Sequence, residues 1–587
     1  MARERRHSMK PWIEVAPSLL GYSLKASELL SEFTDLKIME DQIVAVDRIS
    51  ELPDFIIHRI MSYLSTPQVT QTSVLSKRWN HLRSSYPILD FDQIYFEEED
   101  LETKTIDKFI RFVDASLLRF CEAKVSMQKF RVSMTVFDVE SVASLVDKWI
   151  GLAVASEVKE LDLNVQTNYD TMCSLSLEEF DLDVQTNDNM YSPPGTIFSS
   201  KFVTTLKLRG CNLEKSSAYT IKFHSLKKLE LNKVHIDEQM VQKFISECPL
   251  LEDLVLSICW HCKRICVSHL PKLKILTIDT SSSISFDFDN DFYHVESIEI
   301  VAPSLQQCTL ACVKRPCMIE MAGCADLKYF NLTFSDILDQ EFHNLISKFP
   351  LLEKLVVCDC FHLERVALSS NRLKELQIHQ VIHSSCLSYI DIDAPNLLTF
   401  SYEYYSKPAC SINVSHPCSW KVGVSHKCYG YEGLIWFDSI KKLLELAYDV
   451  EELSISISIW DTVDSFTLDK FQKRSPSLPR EVRNLTIDAV DVQPSSYAAL
   501  LDCLLWICYP RILSIKAYQG PSSIKFIMWL YEKMITRNAK CCNGQEIKCW
   551  QHYLKDVKMI PSKDSKPKLQ SGIIRFHLDW CFSEHIG

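Results

Sequence analysis

Cysteine and histidine residues cluster at three places in the chain, and clusters of this kind can bind zinc. A structural zinc site commonly uses two ligand pairs at short spacing. No second pair follows any of these clusters at a suitable distance. The clusters are Cys259, His261, Cys262 and Cys266; Cys358, Cys360 and His362; and Cys541, Cys542 and Cys549.

Three of the cysteines fit a structural role better than a metal site. Cys211, Cys259 and Cys360 each follow the last apolar residue of a repeated sequence unit by about three positions. A small thiol at such a turn packs inside and donates weakly to backbone carbonyl groups. We therefore expect no metal ion and no cofactor.

Catalytic signatures are missing from the sequence. It has no G-x-S-x-G, phosphate-binding loop, H-E-x-x-H or G-x-G-x-x-G motif. A thioester-forming ligase would need an activated cysteine, and nothing in the pattern selects one of the 23 cysteines. The sequence therefore predicts a protein that is not itself an enzyme.

Length and charge narrow the class of protein. A chain of 587 residues is too long for one compact core, which favours several domains or an elongated repeat. The net charge of -12 disfavours a nucleic-acid partner. The longest apolar stretch, 497–509, contains Asp502 and is too short to cross a membrane. With 23 cysteines and no secretory signal, we expect a reduced cytoplasmic or nuclear protein without a membrane partner.

The helix signals near the N-terminus follow a leader, residues 1–46, that we expect to be disordered. Within 47–92, Pro53 suits a first helical turn. Ser76 can cap a further helix that contains Trp79. One apolar face recurs at helical spacing. It consists of Ile56, Ile57, Ile60, Met61 and Leu64.

These residues carry a resemblance to a known family. The segments LPDFIIHRIMSYLS and TSVLSKRWNHL resemble the F-box of plant F-box proteins with leucine-rich repeats, apart from Arg83, where the family often has Trp. The resemblance implies a small three-helix F-box module that binds a Skp1-like adaptor and, through it, a cullin. Trp79 is expected in the internal core. The residues expected to contact the adaptor, or to support that contact directly, are Leu52, Pro53, Ile57, Ile60, Leu64 and Leu75.

A repeated unit, apolar-x-x-apolar-x-apolar, follows residues 93–150, which we interpret as a linker and N-terminal cap. A period of about 20 to 30 residues with this consensus is typical of leucine-rich repeats. The sequence thus predicts an α/β solenoid over 151–490, a horseshoe with a parallel concave sheet. The units begin at Val158, Leu177, Val203, Leu226, Leu251, Leu273, Val295, Leu327, Leu352, Leu373, Leu397, Val450 and Val482.

Helices are expected on the convex side and in the C-terminal region. Apolar spacing predicts helices over 235–248 and 336–349. Residues 491–587 are interpreted as an α/β cap, because IKCWQHYLKDVKM resembles the closing region, called FBD, of the same plant family. The helices predicted in this cap are 500–508, 524–535 and 546–557.

Acidic residues occupy the outward strand positions of the first two repeat units. They are Glu160, Asp162, Glu179 and Asp181. Because alternate strand residues share a face, all four are expected on the concave face, where they could attract a basic target segment. Acidic residues that only keep the solenoid soluble are an equally good interpretation.

These features together predict a substrate-recognition subunit of an SCF-type (Skp1–cullin–F-box) ubiquitin ligase. The F-box would bind the adaptor, and the repeats would hold a target protein. Two alternatives remain open. The repeat concavity could bind a small ligand as a signal receptor, or the chain could be a non-degradative scaffold.

Overall fold

The computed structural model describes fifteen stretches of the chain, which fall into two compact units, Met1–Cys248 and Pro249–Gly587. Each unit has its own pattern of helices and strands. The described residues are 51–96, 102–167, 190–214, 220–280, 295–311, 313, 317–380, 387–405, 408–428, 433–459, 478–490, 494–516, 521–536, 549–560 and 573–581.

The described part of the first unit starts with three short helices. Their order is α1 (Asp54–Met61), α2 (Thr66–Gln71), a 3₁₀ turn (Thr72–Val74) and α3 (Lys77–Ser84). Ser76 caps α3 by accepting a hydrogen bond from the Trp79 backbone N–H at 3.2 Å, as predicted.

A parallel ladder of five strands follows in the same unit, and neighbours along the chain pair in order from β1 to β5. Along the strands, buried and half-buried residues alternate, because successive side chains point to opposite faces. The elements are β1 (Ile88–Asp92), a 3₁₀ turn (Gln93–Phe96), α4 (Glu102–Glu122), β2 (Lys129–Val136), α5 (Glu140–Ala155), β3 (Glu160–Thr167), a 3₁₀ turn (Ile197–Ser199), β4 (Thr205–Arg209), β5 (Lys228–His235) and α6 (Glu238–Glu247).

The ladder starts earlier than the sequence predicted. β1 and β2 precede the predicted repeat region, 151–490, yet both pair in register with the strands that follow. β2 alternates buried and half-buried residues along its whole length. The interpretation of 93–150 as linker and cap stays a prediction, and β2 shows the same inward periodicity as a repeat strand.

The second unit contains a longer ladder and two smaller sheets. Its repeat elements are β6 (Asp253–Trp260), β7 (Arg264–Val267), β8 (Ile275–Asp279), β9 (Ser297–Val301), β10 (Gln307–Ala311), β11 (Met318–Ala322), β12 (Tyr329–Thr333), α7 (Asp339–Ile346), β13 (Lys354–Cys358), β14 (Arg365–Ser369), β15 (Glu375–Gln380), β16 (Tyr389–Asp393), β17 (Thr399–Tyr405), β18 (Ser411–Val414), β19 (Ser419–Cys428), α8 (Gly433–Leu446), β20 (Asp449–Ile459) and β21 (Arg480–Val490).

The C-terminal elements of this unit close its ladder with antiparallel strands. β22 pairs with β24, and β24 pairs with β23, whereas the preceding strands of the ladder are parallel. The elements are a 3₁₀ turn (Pro494–Ser496), α9 (Tyr497–Ile507), β22 (Cys508–Lys516), α10 (Pro521–Ile535), α11 (Trp550–Tyr553), β23 (Leu554–Ile560) and β24 (Ile573–Trp580). The helix predicted over 546–557 is wrong in its second half, because residues from Leu554 onward pair with a strand that is distant in sequence.

The long ladder of the second unit has a simple order. Parallel pairing runs through β6, β8, β10, β12, β13, β15, β17, β19, β20, β21 and β22. The intervening short strands form two separate three-stranded sheets, β7–β9–β11 and β14–β16–β18. The alternation of long-ladder strands with connecting segments is that of an α/β solenoid, which confirms the predicted fold class.

The predicted repeat starts identify most of the ladder strands within 151–490. One start is misplaced, and two ladder strands, β10 and β19, have no predicted start. The unit at Val295 forms β9, which pairs with β7 and β11 rather than with the long ladder. The strand that does join the ladder there is β10, whose buried residues are Cys308 and Leu310, and the buried Leu305 precedes it. Cys308 fills an apolar position of the consensus, so this unit was overlooked. The predicted unit at Leu177 lies outside the described residues.

Helix α6 shows why the repeats fold as they do. Asp237 caps its N-terminus, with a carboxylate oxygen that accepts from the Met240 backbone N–H at 2.7 Å. The predicted apolar face is confirmed, since all four of its side chains are buried. They are Met240, Val241, Phe244 and Ile245. The helix thus covers the inner side of a strand that could not bury its leucines alone.

Candidate functional site

The F-box module, residues 47–92, has an internal core on one side of its helices. Trp79 is 2% exposed, which confirms its predicted place in the core. Leu52 and Leu64 are partly buried and pack against this core. The core side chains are Ile57, Met61, Val69, Trp79, Leu82 and Tyr86.

Polar contacts hold the three helices of the module together. The Arg78 guanidinium pairs with the Asp54 carboxylate and so joins α3 to the start of α1. Thr66 at the start of α2 donates its hydroxyl to the Asp90 carbonyl at 2.5 Å and accepts from the Asp90 backbone N–H at 3.1 Å. Asp90 belongs to β1, so these hydrogen bonds attach the helices of the module to the first strand of the ladder.

A set of large apolar side chains on this module is exposed. Phe55 is 70% exposed, Val74 67%, Leu75 43% and Ile60 36%. Soluble proteins seldom expose several large apolar residues within so short a segment without a partner. The four residues are therefore a candidate docking surface, and we call them the apolar set.

The predicted adaptor residues divide between this surface and the core. Ile60 and Leu75 belong to the apolar set, and Pro53 is also exposed. Ile57 is fully buried, so it supports the helix rather than contacting a partner. Leu52 and Leu64, being half-buried, lie between these two classes. Their role in adaptor binding stays a prediction.

Sequence reasoning missed Phe55 and Val74, the two most exposed members of the apolar set. Phe55 lies two residues before the buried Ile57, which is nearly the opposite side of a helix with 3.6 residues per turn. An apolar residue outside the inward stripe of a short helix is the signal that could have identified it. Val74 lies in a 3₁₀ turn, where helical periodicity gives no guidance.

Arg83 is the position at which the sequence departs from the F-box pattern that it resembles. Its Nη2 donates to Asn80 at 2.9 Å, while burial and the nearby Arg119 lower its pKa. Arg119 belongs to α4. This position therefore brings the end of the module close to the next helix of the same unit.

The second candidate surface is the face of the β1–β5 ladder that carries half-buried side chains, here called the open face. Register places oppositely charged residues side by side across all five strands. Acidic residues on β1, β3 and β5 alternate with basic residues on β2 and β4. In strand order the row is Asp90, Arg131, Asp162, Lys207 and Glu230.

Arg131 is the best-paired cation of this row. Its guanidinium nitrogens lie 2.8 Å from Asp90, 2.9 Å from Asp92 and 3.7 Å from Asp162. Lys129 adds a contact with Asp90 at 3.0 Å. This arrangement uses most of the hydrogen-bonding capacity of the guanidinium.

The acidic residues expected on this face have basic residues beside them. Glu160 and Asp162 do lie on the open face, half-buried, but cations stand on both neighbouring strands. Burial raises the pKa of the Asp162 carboxyl, and Arg131, Lys207, Lys129 and Arg209 oppose that rise. Glu179 and Asp181 lie outside the described residues, and the target-binding role of all four stays a prediction.

The cysteines in the repeat turns have structural contacts. Cys211 is fully buried and donates to the Arg209 carbonyl at 3.4 Å, and burial raises its pKa to about 12. Cys360 donates to the Leu332 and Cys358 carbonyls at 3.7 and 3.8 Å. The structural interpretation is confirmed for these two thiols. In the described parts of the chain, no three Cys, His, Asp or Glu side chains converge as metal ligands would.

Helix length and hydropathy were also compared with what a membrane span requires. Across the described helices, none combines the length and the apolar character needed to cross a bilayer.

Known families match both the F-box module and the repeats. The F-box domain family matches residues 49–86. The leucine-rich repeats of the FBD-associated F-box protein At5g56370 match residues 146–291, and the leucine-rich-repeat domain of At1g61320/AtMIF1 matches residues 293–473. The resemblance to plant F-box proteins with leucine-rich repeats is thereby confirmed. The finer domain boundaries stay predictions.

Similar proteins from Arabidopsis thaliana carry the same combination in their names. The F-box/FBD/LRR-repeat protein At5g56420 is 31% identical over 43% of this chain and 53% of its own length. The F-box/LRR-repeat protein At3g59200 is 31% identical over 43% of this chain and 45% of its own length. The chain thus spans about half the length of these curated relatives.

Proposed function

Because the chain carries an F-box domain followed by leucine-rich repeats, as its plant relatives do, we propose that it is the substrate-recognition subunit of an SCF-type ubiquitin ligase. The F-box module binds a Skp1-like adaptor, which links the chain to a cullin. The repeat ladder holds the target protein. This activity takes place in the cytoplasm, the nucleus or both.

The observation that carries the proposal is the apolar set of the F-box module. Phe55 and Val74 are about two-thirds exposed, although the module has an internal core that could have accepted apolar side chains. Removing apolar surface from water yields about 25 cal/mol per Å². A partner helix that covers these side chains would therefore bind through them.

The chemistry of the proposed function is proximity. A target held on the repeats and an enzyme carrying ubiquitin held by the rest of the complex meet at a high effective concentration. The chain then needs binding surfaces and no catalytic group of its own. Rigid repeats suit this role, because they keep the target at a defined position.

Co-purification with the Skp1-like adaptor tests the proposal. The double variant Phe55→Ser, Val74→Ser is expected to lower adaptor affinity by at least about tenfold, because exposed apolar anchors dominate such interfaces. Phe202→Ser is the matched control, since Phe202 is 48% exposed in the same unit but outside the F-box module. Wild-type chain that captures no adaptor, or a double variant that binds as well as the control, would overturn the proposal.

The earlier residue prediction can be tested beside it. The double variant Leu52→Ala, Pro53→Ala is expected to weaken adaptor binding less than the double variant Phe55→Ser, Val74→Ser, because Leu52 is partly buried.

A non-degradative scaffold would bind the adaptor, yet its partners would not accumulate when the proteasome is inhibited. Quantitative proteomics with and without the inhibitor separates that alternative from a ligase subunit.

A further inference from the structure

An open cavity of about 190 Å³ lies on the open face, between β2 and β5 of the first unit. Its charged lining residues are three cations and two carboxylates. They are Arg131, Lys207, Arg209, Asp162 and Glu230. Arg131 is already paired with acidic side chains on two neighbouring strands, so the other two cations decide what the cavity can bind.

Lys207 and Arg209, here called the basic pair, lie on the same face of β4 and share one carboxylate. The Lys207 Nζ is 3.6 Å and the Arg209 Nη2 3.8 Å from the Glu230 carboxylate oxygens. Both distances exceed those of a good hydrogen bond. Their side chains are 30% and 44% exposed, so their donors remain accessible. The basic pair therefore has donor capacity that Glu230 does not fill.

Two amide side chains complete the polar lining of the cavity. Asn164 is held by its Nδ2, which donates to the Ser133 hydroxyl at 3.0 Å. Asn232 lines the same cavity on β5. Both amides are neutral, so the basic pair decides which charge the cavity accepts.

From this geometry we propose that the cavity binds an acidic side chain of a peptide, either a carboxylate or a phosphate. The oxyanion lies between Lys207 and Arg209 and accepts hydrogen bonds from both. This inference rests on the proposed function, because it names the kind of target segment that the repeats select. It reverses the preference for a basic segment that the acidic strand positions suggested.

Peptide binding to the full chain, purified with its adaptor, tests the sign of this preference. The probes are four labelled peptide libraries with Glu, phosphoserine, Gln or Lys at one fixed position and uncharged residues around it. Fluorescence anisotropy should show the Glu or phosphoserine library bound at least about tenfold more tightly than the Gln and Lys libraries. The stronger of the two identifies the carboxylate or the phosphate as the source. Tightest binding of the Lys library, or equal binding of all four, would overturn the proposal.

Two variants separate the cavity from general folding effects. Lys207→Gln with Arg209→Gln should abolish the preference for acidic peptides, while Lys228→Gln, on the same face of β5 but outside the cavity lining, should leave it unchanged. Glu230→Gln removes the competing carboxylate and should strengthen acidic-peptide binding by about threefold or more. A gain in binding cannot result from misfolding, so this variant gives a clear positive result. A folded Glu230→Gln variant that binds acidic peptides more weakly than wild type would refute the assignment.

Adaptor binding separates failure of this inference from failure of the proposed function. Every variant of the cavity should still co-purify with the Skp1-like adaptor, because the F-box module is intact. If the Lys207, Arg209 variant loses the peptide preference but still binds the adaptor, the result supports the cavity assignment and leaves the F-box role unaffected. A chain that binds acidic peptides but captures no adaptor would keep the cavity assignment and remove the ligase role.

Discussion

Lys441 shows at the scale of one residue how a buried charge is accommodated in this protein. It belongs to α8 and is 1% exposed, and its Nζ lies 4.7 Å from the centre of the Trp506 ring on α9. Burial lowers its pKa to about 8, although Glu445 and Asp438 oppose the change. The aromatic face offsets part of the cost of removing the ammonium group from water.

This lowered pKa makes local stability depend on pH. The folded state releases the Lys441 proton near pH 8, whereas the unfolded chain keeps it until about pH 10.4. The folded state therefore binds fewer protons in this window, and its stability rises as pH increases from about 8 to 10. Hydrogen exchange of α8 and α9 at pH 7.5 and pH 9.5 should show this gain in wild type, after correction for the intrinsic exchange rate.

Lys441→Met is the variant that isolates the effect. Its unbranched side chain can fill the same site without a charge, so the pH-dependent gain should disappear while α8 stays protected at pH 7.5. A variant with the same pH response as wild type would assign the effect to other groups that titrate in this range.

The close approach of strand β4 to β3 depends on a single glycine that directly follows β4. Gly210 has a φ of 68°, and a Cβ placed there would lie 2.7 Å from the Val165 carbonyl oxygen on β3. Only a residue without a side chain can adopt this conformation at this distance. The basic pair thus lies on a strand whose closeness to β3 depends on Gly210.

Two glycine substitutions with opposite expected effects on the free energy of unfolding test the role of Gly210. Gly210→Ala should destabilise the first unit by roughly 1–3 kcal/mol, because it combines backbone strain with a steric clash. Gly151→Ala, in helix α5, should stabilise it by up to about 1 kcal/mol, since nothing lies within 4 Å of the added methyl group. Urea denaturation followed by hydrogen exchange of β3 and β4 measures both. A neutral Gly210→Ala variant would contradict the assigned constraint.

At the scale of the whole molecule, the proposed adaptor-binding and target-binding surfaces belong to separate elements. The F-box helices have their own core, and each ladder strand pairs chiefly with its two neighbours. In such repeat structures stability is close to a sum of nearest-neighbour terms, so damage stays local. Binding of the proposed adaptor should therefore be retained when buried residues of the second unit are substituted.

Leu376→Asp tests this separation. Leu376 is fully buried in β15, so the carboxylate should remove exchange protection from β13, β15 and β17. Helices α1 to α3 should keep their protection, and the chain should still bind the Skp1-like adaptor. Leu368→Asp, 8% exposed in β14 of a separate small sheet, provides a comparison outside the ladder. Loss of F-box protection in Leu376→Asp would show that the two functions are coupled.

Local periodicity by itself determined much of this protein. The spacing of apolar residues identified strands β3 to β6, the inward face of α6 and the internal position of Trp79. Burial could be predicted there because it follows from the side of the helix or strand on which a residue lies. Tertiary structure alone decided what depends on neighbours distant in sequence. It paired Asp162 with Arg131 across the ladder and placed β9 in another sheet. No local pattern encodes these, since strand register brings together side chains that the chain separates by tens of residues.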